Sequence, residues 1–184
     1  MENGSFEMDA VATNGWKLGA IGWQHTTSPN AGIVDMASQI TAADGQQCAF
    51  VEHGGSLTQT LTGMTLEPFY RYILLAEVAD RASTPFAGYG LELLAGGEVV
   101  AADIDTKDIV ETQAYFYVTA VVDVLIEPGD PLIGEELGIR LTAPIAGGHA
   151  YYDNVRLFAA YIPEPTTLAL LGLGGLTLLR RRRR

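Results

Sequence analysis

Apolar and polar residues alternate with a period of two along most of this chain. In Tyr115–Ile126 the even positions are Phe116, Val118, Ala120, Val122, Val124 and Ile126, all apolar, whereas the odd positions include Tyr115, Tyr117, Thr119 and Asp123. Side chains on a strand point to opposite faces in turn, so this pattern predicts a half-buried strand. Leu137, Ile139, Leu141 and Ala143 alternate with Gly138, Arg140 and Thr142 in the same way. Leu91–Leu94 and Glu98–Ala102 flank Ala95-Gly96-Gly97, a hairpin signal, because glycines accept the positive φ that tight turns need. Further strands are expected at Cys48–Val51, Ser56–Leu61, Tyr70–Val78 and Tyr151–Tyr161, and Asn3–Glu7 reads as the first strand of the domain. Punctuation such as Asn14-Gly15, Asp44-Gly45 and Pro128-Gly129-Asp130-Pro131 marks loops. About eight strands with no amphipathic helix predict an all-β fold, a β-sandwich filling residues 1–161 as one domain.

The last residues break the pattern. Pro163, Glu164 and Pro165 are followed by an uncharged run, Thr166–Leu179, and by Arg180, Arg181, Arg182, Arg183 and Arg184. Each proline fixes its own φ and keeps its neighbour out of the helical region, so the chain enters the run extended. The run predicts one short C-terminal hydrophobic helix. Its fourteen residues fall short of the roughly 20 that cross a bilayer comfortably. Arginines do not pass the lipid core and stay on the cytoplasmic side. This order of proline motif, apolar helix and arginine cluster, flush with the C-terminus, resembles the PEP-CTERM sorting signal of Gram-negative bacteria. The resemblance implies an exosortase-type membrane protease or transpeptidase as partner, transient residence in the inner membrane, and delivery to the cell surface or beyond.

The tail also disguises the charge. The chain has 11 basic and 22 acidic residues; without the five arginines and Glu164 the domain keeps 6 and 21, near −15. Nucleic acid demands the opposite sign and is excluded as a partner; divalent cations would be attracted. Cys48 is the single cysteine, so no internal disulfide forms, and its apolar setting (CAFV) predicts a buried, inert thiol. Met1-Glu2-Asn3 offers neither the basic nor the apolar segment of a signal peptide, so export predicts a start upstream of Met1.

Asn3-Gly4-Ser5-Phe6-Glu7, Gly15-Trp16, Gly22-Trp23 and Tyr151-Tyr152-Asp153-Asn154-Val155-Arg156-Leu157 resemble the opening and closing strands of galactose-binding-like jelly rolls of the carbohydrate-binding-module kind, and Gly55–Gln59 and Gly88–Gly97 resemble segments common in PEP-CTERM proteins of this fold. That resemblance implies first and last strands lying together, with Glu7 and Asp153 contributing to a structural Ca²⁺ alongside backbone carbonyls. Parity on the last strand places Asp153 with Tyr151, Val155, Leu157 and Ala159, where a carboxylate needs a partner. Flat rings that could stack on sugars are Tyr115, Tyr117 and Trp23, with Trp16 and Tyr89 as further candidates. Catalytic signatures are missing: there is no Gly-x-Ser-x-Gly elbow, no His-x-x-x-His pair among His25, His53 and His149, and Asp103–Asp108 departs from a calcium loop at Lys107. The expectation is a non-enzymatic surface or matrix protein that associates with exopolysaccharide. The alternatives are a polysaccharide-active enzyme and a self-associating adhesion module.

Overall fold

A computed structural model describes residues 1–26, 30–35, 41–80, 86, 88–104, 117–143 and 148–163. Among these lie eleven strands: β1 Trp16–Leu18, β2 Gln24–His25, β3 Ala31–Val34, β4 Cys48–Glu52, β5 Ser56–Thr65, β6 Tyr70–Asp80, β7 Gly90–Ala95, β8 Glu98–Ile104, β9 Val118–Leu125, β10 Glu136–Thr142 and β11 His149–Tyr161. They form a six-stranded sheet in the order β1-β3-β4-β11-β6-β9 and a five-stranded sheet in the order β2-β5-β10-β7-β8. Every ladder is antiparallel, and the sheets stack as a jelly-roll-like β-sandwich. The apolar run and the arginines, residues 164–184, lie outside the described residues, as does Tyr115.

The alternation read from the sequence is the packing between the sheets. Val122 and Ala120 of β9, Leu74, Ala76 and Val78 of β6, and Leu137, Ile139 and Leu141 of β10 are buried in one shared core. Gly96 (φ 59°) and Gly97 (φ 87°) make the β7–β8 hairpin turn with both φ positive, as a two-residue primed turn requires.

Two expectations are corrected. Asn3–Glu7 is a turn and not a strand: Asn3 (φ 50°) and Phe6 (φ 59°) adopt left-handed conformations, which drop the fully buried Phe6 ring onto Trp23 at 5.6 Å. The segment still meets the last strand, because Val155 N donates to Gly4 O at 2.8 Å. A Cβ at position 4 would stand 2.4 Å from Val155 O, so glycine is required there. The second correction concerns parity on β11. Asn154 (φ 49°) sits in a bulge between Asp153 and Arg156. Tyr151 and Asp153 therefore face outward from the sandwich while Val155 turns into the core.

Tyr152 bolts the sheets together. It rises from β11 of the six-stranded sheet, fully buried, and its hydroxyl reaches the other sheet. Gly90 N donates to it at 3.1 Å, and its own hydrogen is shared between the carbonyls of Gly90 (3.2 Å) and Thr142. Burial pushes its ionisation far above the ordinary tyrosine range, so it stays neutral. Tyr152→Phe would keep the ring but orphan the Gly90 N–H. A loss of about 1–3 kcal/mol in urea unfolding is expected, against little change for Tyr161→Phe at the exposed end of the same strand.

Candidate functional site

Period two sends His149, Tyr151 and Asp153 of β11, and Cys48, Phe50 and Glu52 of β4, to the outer face of the six-stranded sheet. The register pairs Tyr151 with Phe50 and His149 with Glu52. Trp16 joins them from β1, across from Val34, which itself pairs with Cys48.

The result is a row of rings. Trp16 meets Phe50 edge-on (6.2 Å, 87°), Phe50 stacks on His149 (6.1 Å, 11°), and His149 meets Tyr151 edge-on (4.6 Å, 71°). His149 Nε2 lies 3.3 Å from Glu52 Oε1, which fixes the imidazole in the row. Phe50, His149 and Tyr151 are buried, whereas Trp16 at the rim is 64% exposed.

Beside the row is a small second core of Val34, Cys48, Phe50, Ala79 and Tyr151, with Tyr117 packed against it. Burial pushes the Cys48 thiol up to about 12, helped by the negative fields of Asp153, Glu7 and Asp35 and opposed by the Tyr117 hydroxyl. Burial likewise drives the Tyr117 hydroxyl above its ordinary range. Asp153 is completely buried. Its Oδ2 accepts from Asp44 N (2.8 Å) and its Oδ1 from Asn154 N (2.6 Å). Burial raises its carboxyl to about 7, and the N–H donors of Asp44, Asn154 and Ala43 oppose that rise.

Glu7 and Asp153 converge on one loop. Glu7 Oε1 accepts from Gln46 N (2.7 Å) and Gln47 N (2.6 Å), while Asp153 holds the neighbouring Asp44. A Cβ on Gly45 would stand 2.5 Å from the Glu7 carboxyl, so the loop closes on Glu7 only with glycine there. Among the described residues no three His, Cys, Asp or Glu side chains gather as a metal site. Two carboxylates, each with lone pairs left, fit a minority share of a calcium shell whose remainder would be carbonyls.

Of the rings expected to bind, Tyr117 is on this face, half-buried against Cys48. Trp23 is corrected: it lies 5% exposed in the inter-sheet core with its Nε1 donating to Asn3 O at 3.3 Å, and no ligand can stack on it. The tryptophan that reaches solvent is Trp16. Phe50, His149 and Glu52 were overlooked. A signal for them existed: β4 reads CAFV, apolar at both parities, which marks a strand covered on both faces.

Proteins similar to this chain are informative. The HpiC1-like family, described as HpiC1 cyclase, matches residues 1–158, and the PEP-CTERM protein-sorting motif matches residues 162–184. A cyclase from Fischerella sp. crystallised with 4-(1H-indol-3-yl)butan-2-one is 26% identical (TM-score 0.76), over 89% of this chain and 98% of that one. The Stig cyclase Fisc from Fischerella sp. TAU, bound to (3Z)-3-(1-methyl-2-pyrrolidinylidene)-3H-indole, is 25% identical (TM-score 0.76), over 89% and 97%. The CBM22-1 xylan-binding domain of Paenibacillus barcinonensis Xyn10C shares the fold at 15% identity (TM-score 0.51), over 84% and 100%. No functionally curated protein matches the sequence.

The site yields a chemical prediction. At pH 8 a thiol shifted to about 12 is ionised in only about one molecule in ten thousand. Cys48 should therefore resist a disulfide reagent in the folded protein and react fully in guanidinium, read as released chromophore.

Proposed function

We propose, from the premise that this chain belongs to the HpiC1-like cyclase family, that the outer face of its six-stranded sheet is a ring-binding site. We further propose that the chain uses this face outside the cell to hold polysaccharide. Its C-terminus carries the PEP-CTERM sorting motif, which implies an exosortase-type membrane enzyme and a cell-surface route in Gram-negative bacteria. Insertion of Thr166–Leu179 into the inner membrane before processing is part of the proposal.

The observation that carries the binding reading is Trp16, its ring open to solvent and braced edge-on by Phe50. A flat exposed ring on a rigid sheet stacks on the apolar face of a sugar at low entropic cost. The two acids named on this face favour binding over chemistry, because Asp153 is closed off and held by backbone N–H groups and Glu52 is engaged by His149. Trp16→Ala removes only a rim side chain. In affinity electrophoresis through a panel of neutral and acidic polysaccharides, the native protein should be retarded and Trp16→Ala should bind about tenfold more weakly. Equal mobility of both proteins on every glycan would overturn the reading.

A second reading, a cyclase, draws on the likeness to the Fischerella enzymes crystallised with indole compounds, since the exposed Trp16 ring could stack on an indole as on a sugar. Quenching of tryptophan emission by an indolyl ketone, with no response to glycans, would favour it.

Calcium at Glu7 and Asp153 also belongs to the proposal. What supports it is the completely buried Asp153 carboxylate in a domain near −15, with a second acid, Glu7, bonded to the same 44–47 loop. Calcium should raise the melting temperature and EDTA should lower it, by an amount equal to about 2.7 kcal/mol at a hundredfold excess over Kd. Superimposable melts would remove both residues from the site.

A further inference from the structure

Beyond the Asn154 bulge, the outer face of the six-stranded sheet changes character. The register sets Phe158 across from Ile73, which pairs with Asp123, and Ala160 across from Arg71, which pairs with Leu125. Phe158 (53% exposed), Leu125 (44%) and Ile162 (41%) are open to solvent, and Tyr161 (55%) stands at the lip in edge contact with Tyr70 and Phe69. Arg71, Asp123, Leu125 and Ile162 line a shallow pocket of about 340 Å³. Phe158, Leu125 and Ile162 share the outer face and Tyr161 closes the edge of the same end, and exposed apolar surface gathered on one end of a domain marks a contact surface.

The charge on this patch is cancelled locally. Arg71 Nε donates to Asp123 Oδ1 at 2.7 Å, and its Nη2 donates to Oδ2 at 2.5 Å. The pair raises the arginine and lowers the aspartate, so both stay ionised and satisfied. Among the described residues the cations on this face are engaged, Arg71 by Asp123 and Arg156 by Glu77 at 3.5 Å, so none is spare for phosphate, and the patch sits on a domain near −15.

The chain leaving this end is short. Ile162 N still bonds Phe69 O at 2.7 Å, and the uncharged run begins at Thr166. Four peptide units span at most about 14 Å. If the run enters a bilayer, the end of β11 cannot stand off from it.

We propose that, before processing, this end of the sandwich rests on the lipid surface, with Phe158, Tyr161, Leu125 and Ile162 in the headgroup region. The inference depends on the membrane insertion proposed above. Aromatic rings favour that depth, and the short tether supplies a high effective concentration, so a weak surface suffices. With the patch neutral and the domain acidic, the partner surface is zwitterionic and not anionic.

The test uses the full chain reconstituted in phosphatidylcholine vesicles, with a polarity-sensitive fluorophore on Ala160→Cys. Cys48 is buried and does not label. Two further sites serve as references: Thr60→Cys, exposed on the other sheet, and Leu170→Cys, within the uncharged run. The label at 160 should shift to the blue and be quenched by lipid-borne quencher several-fold more than the label at 60. Adding salt should not reverse this, and Phe158→Ser with Leu125→Ser should bring 160 down to the level of 60. An aqueous label at 160 with a lipidic label at 170 would overturn the docking while leaving insertion intact. Aqueous labels at both would overturn insertion and the docking with it.

Discussion

A single buried hydroxyl couples the two halves of this molecule. Tyr152 is anchored in the central ladder of the six-stranded sheet and bonded to Gly90 and Thr142 of the other sheet. Apolar contact between sheets is nondirectional and would tolerate sliding; a hydrogen bond at the centre of the core does not. The close pairing of its two partners needs glycine at 90, where a Cβ would stand 2.3 Å from Thr142 Oγ1. The neighbours of Tyr152 on β11, Tyr151 and Asp153, are then committed to the opposite face. The register of the bolt sets the register of the ring row.

The Asn154 bulge divides that face in two. Above it, the strand presents His149, Tyr151 and Asp153, packed with β4 into a covered aromatic floor with Trp16 at its rim. Below it, with parity reset, the same strand presents half-buried Arg156 and then Phe158 and Ala160, open to solvent. An uninterrupted strand would have sent Val155 outward and left the core short of a side chain. One residue in the left-handed region thus lets a single thirteen-residue strand serve a covered aromatic face and an exposed end surface beside the sorting signal.

Family membership and the sorting motif address different parts of the chain. The family match ends at residue 158 and the motif starts at 162, so family membership belongs to the sandwich and the sorting signal to the tail. The likeness to cyclases crystallised with indole compounds and to a xylan-binding domain is a likeness of the sandwich, and the sorting signal lies outside it.

How much was legible from residues alone follows the range of the interactions involved. Period-two alternation, the Gly96-Gly97 turn and the proline–apolar–arginine tail are local properties, so β4 to β11 and the sorting motif could be read directly. Cys48 was readable as a buried thiol for the same reason. Asn3–Glu7 misled because its composition suits a strand, yet Phe6 is drawn into the core by Trp23 and its neighbours give up extended geometry. The choice between Trp16 and Trp23 was invisible: both follow a glycine, and only the pairing of β1 with β3 against the plugging of the core by Phe6 separates them. The parity of Val155 likewise depended on a bulge that no alternation announces. Local sequence determined which segments are strands and where the chain is sent. Which side chains meet on one face was decided by long-range pairing, because register is a property of two strands at once.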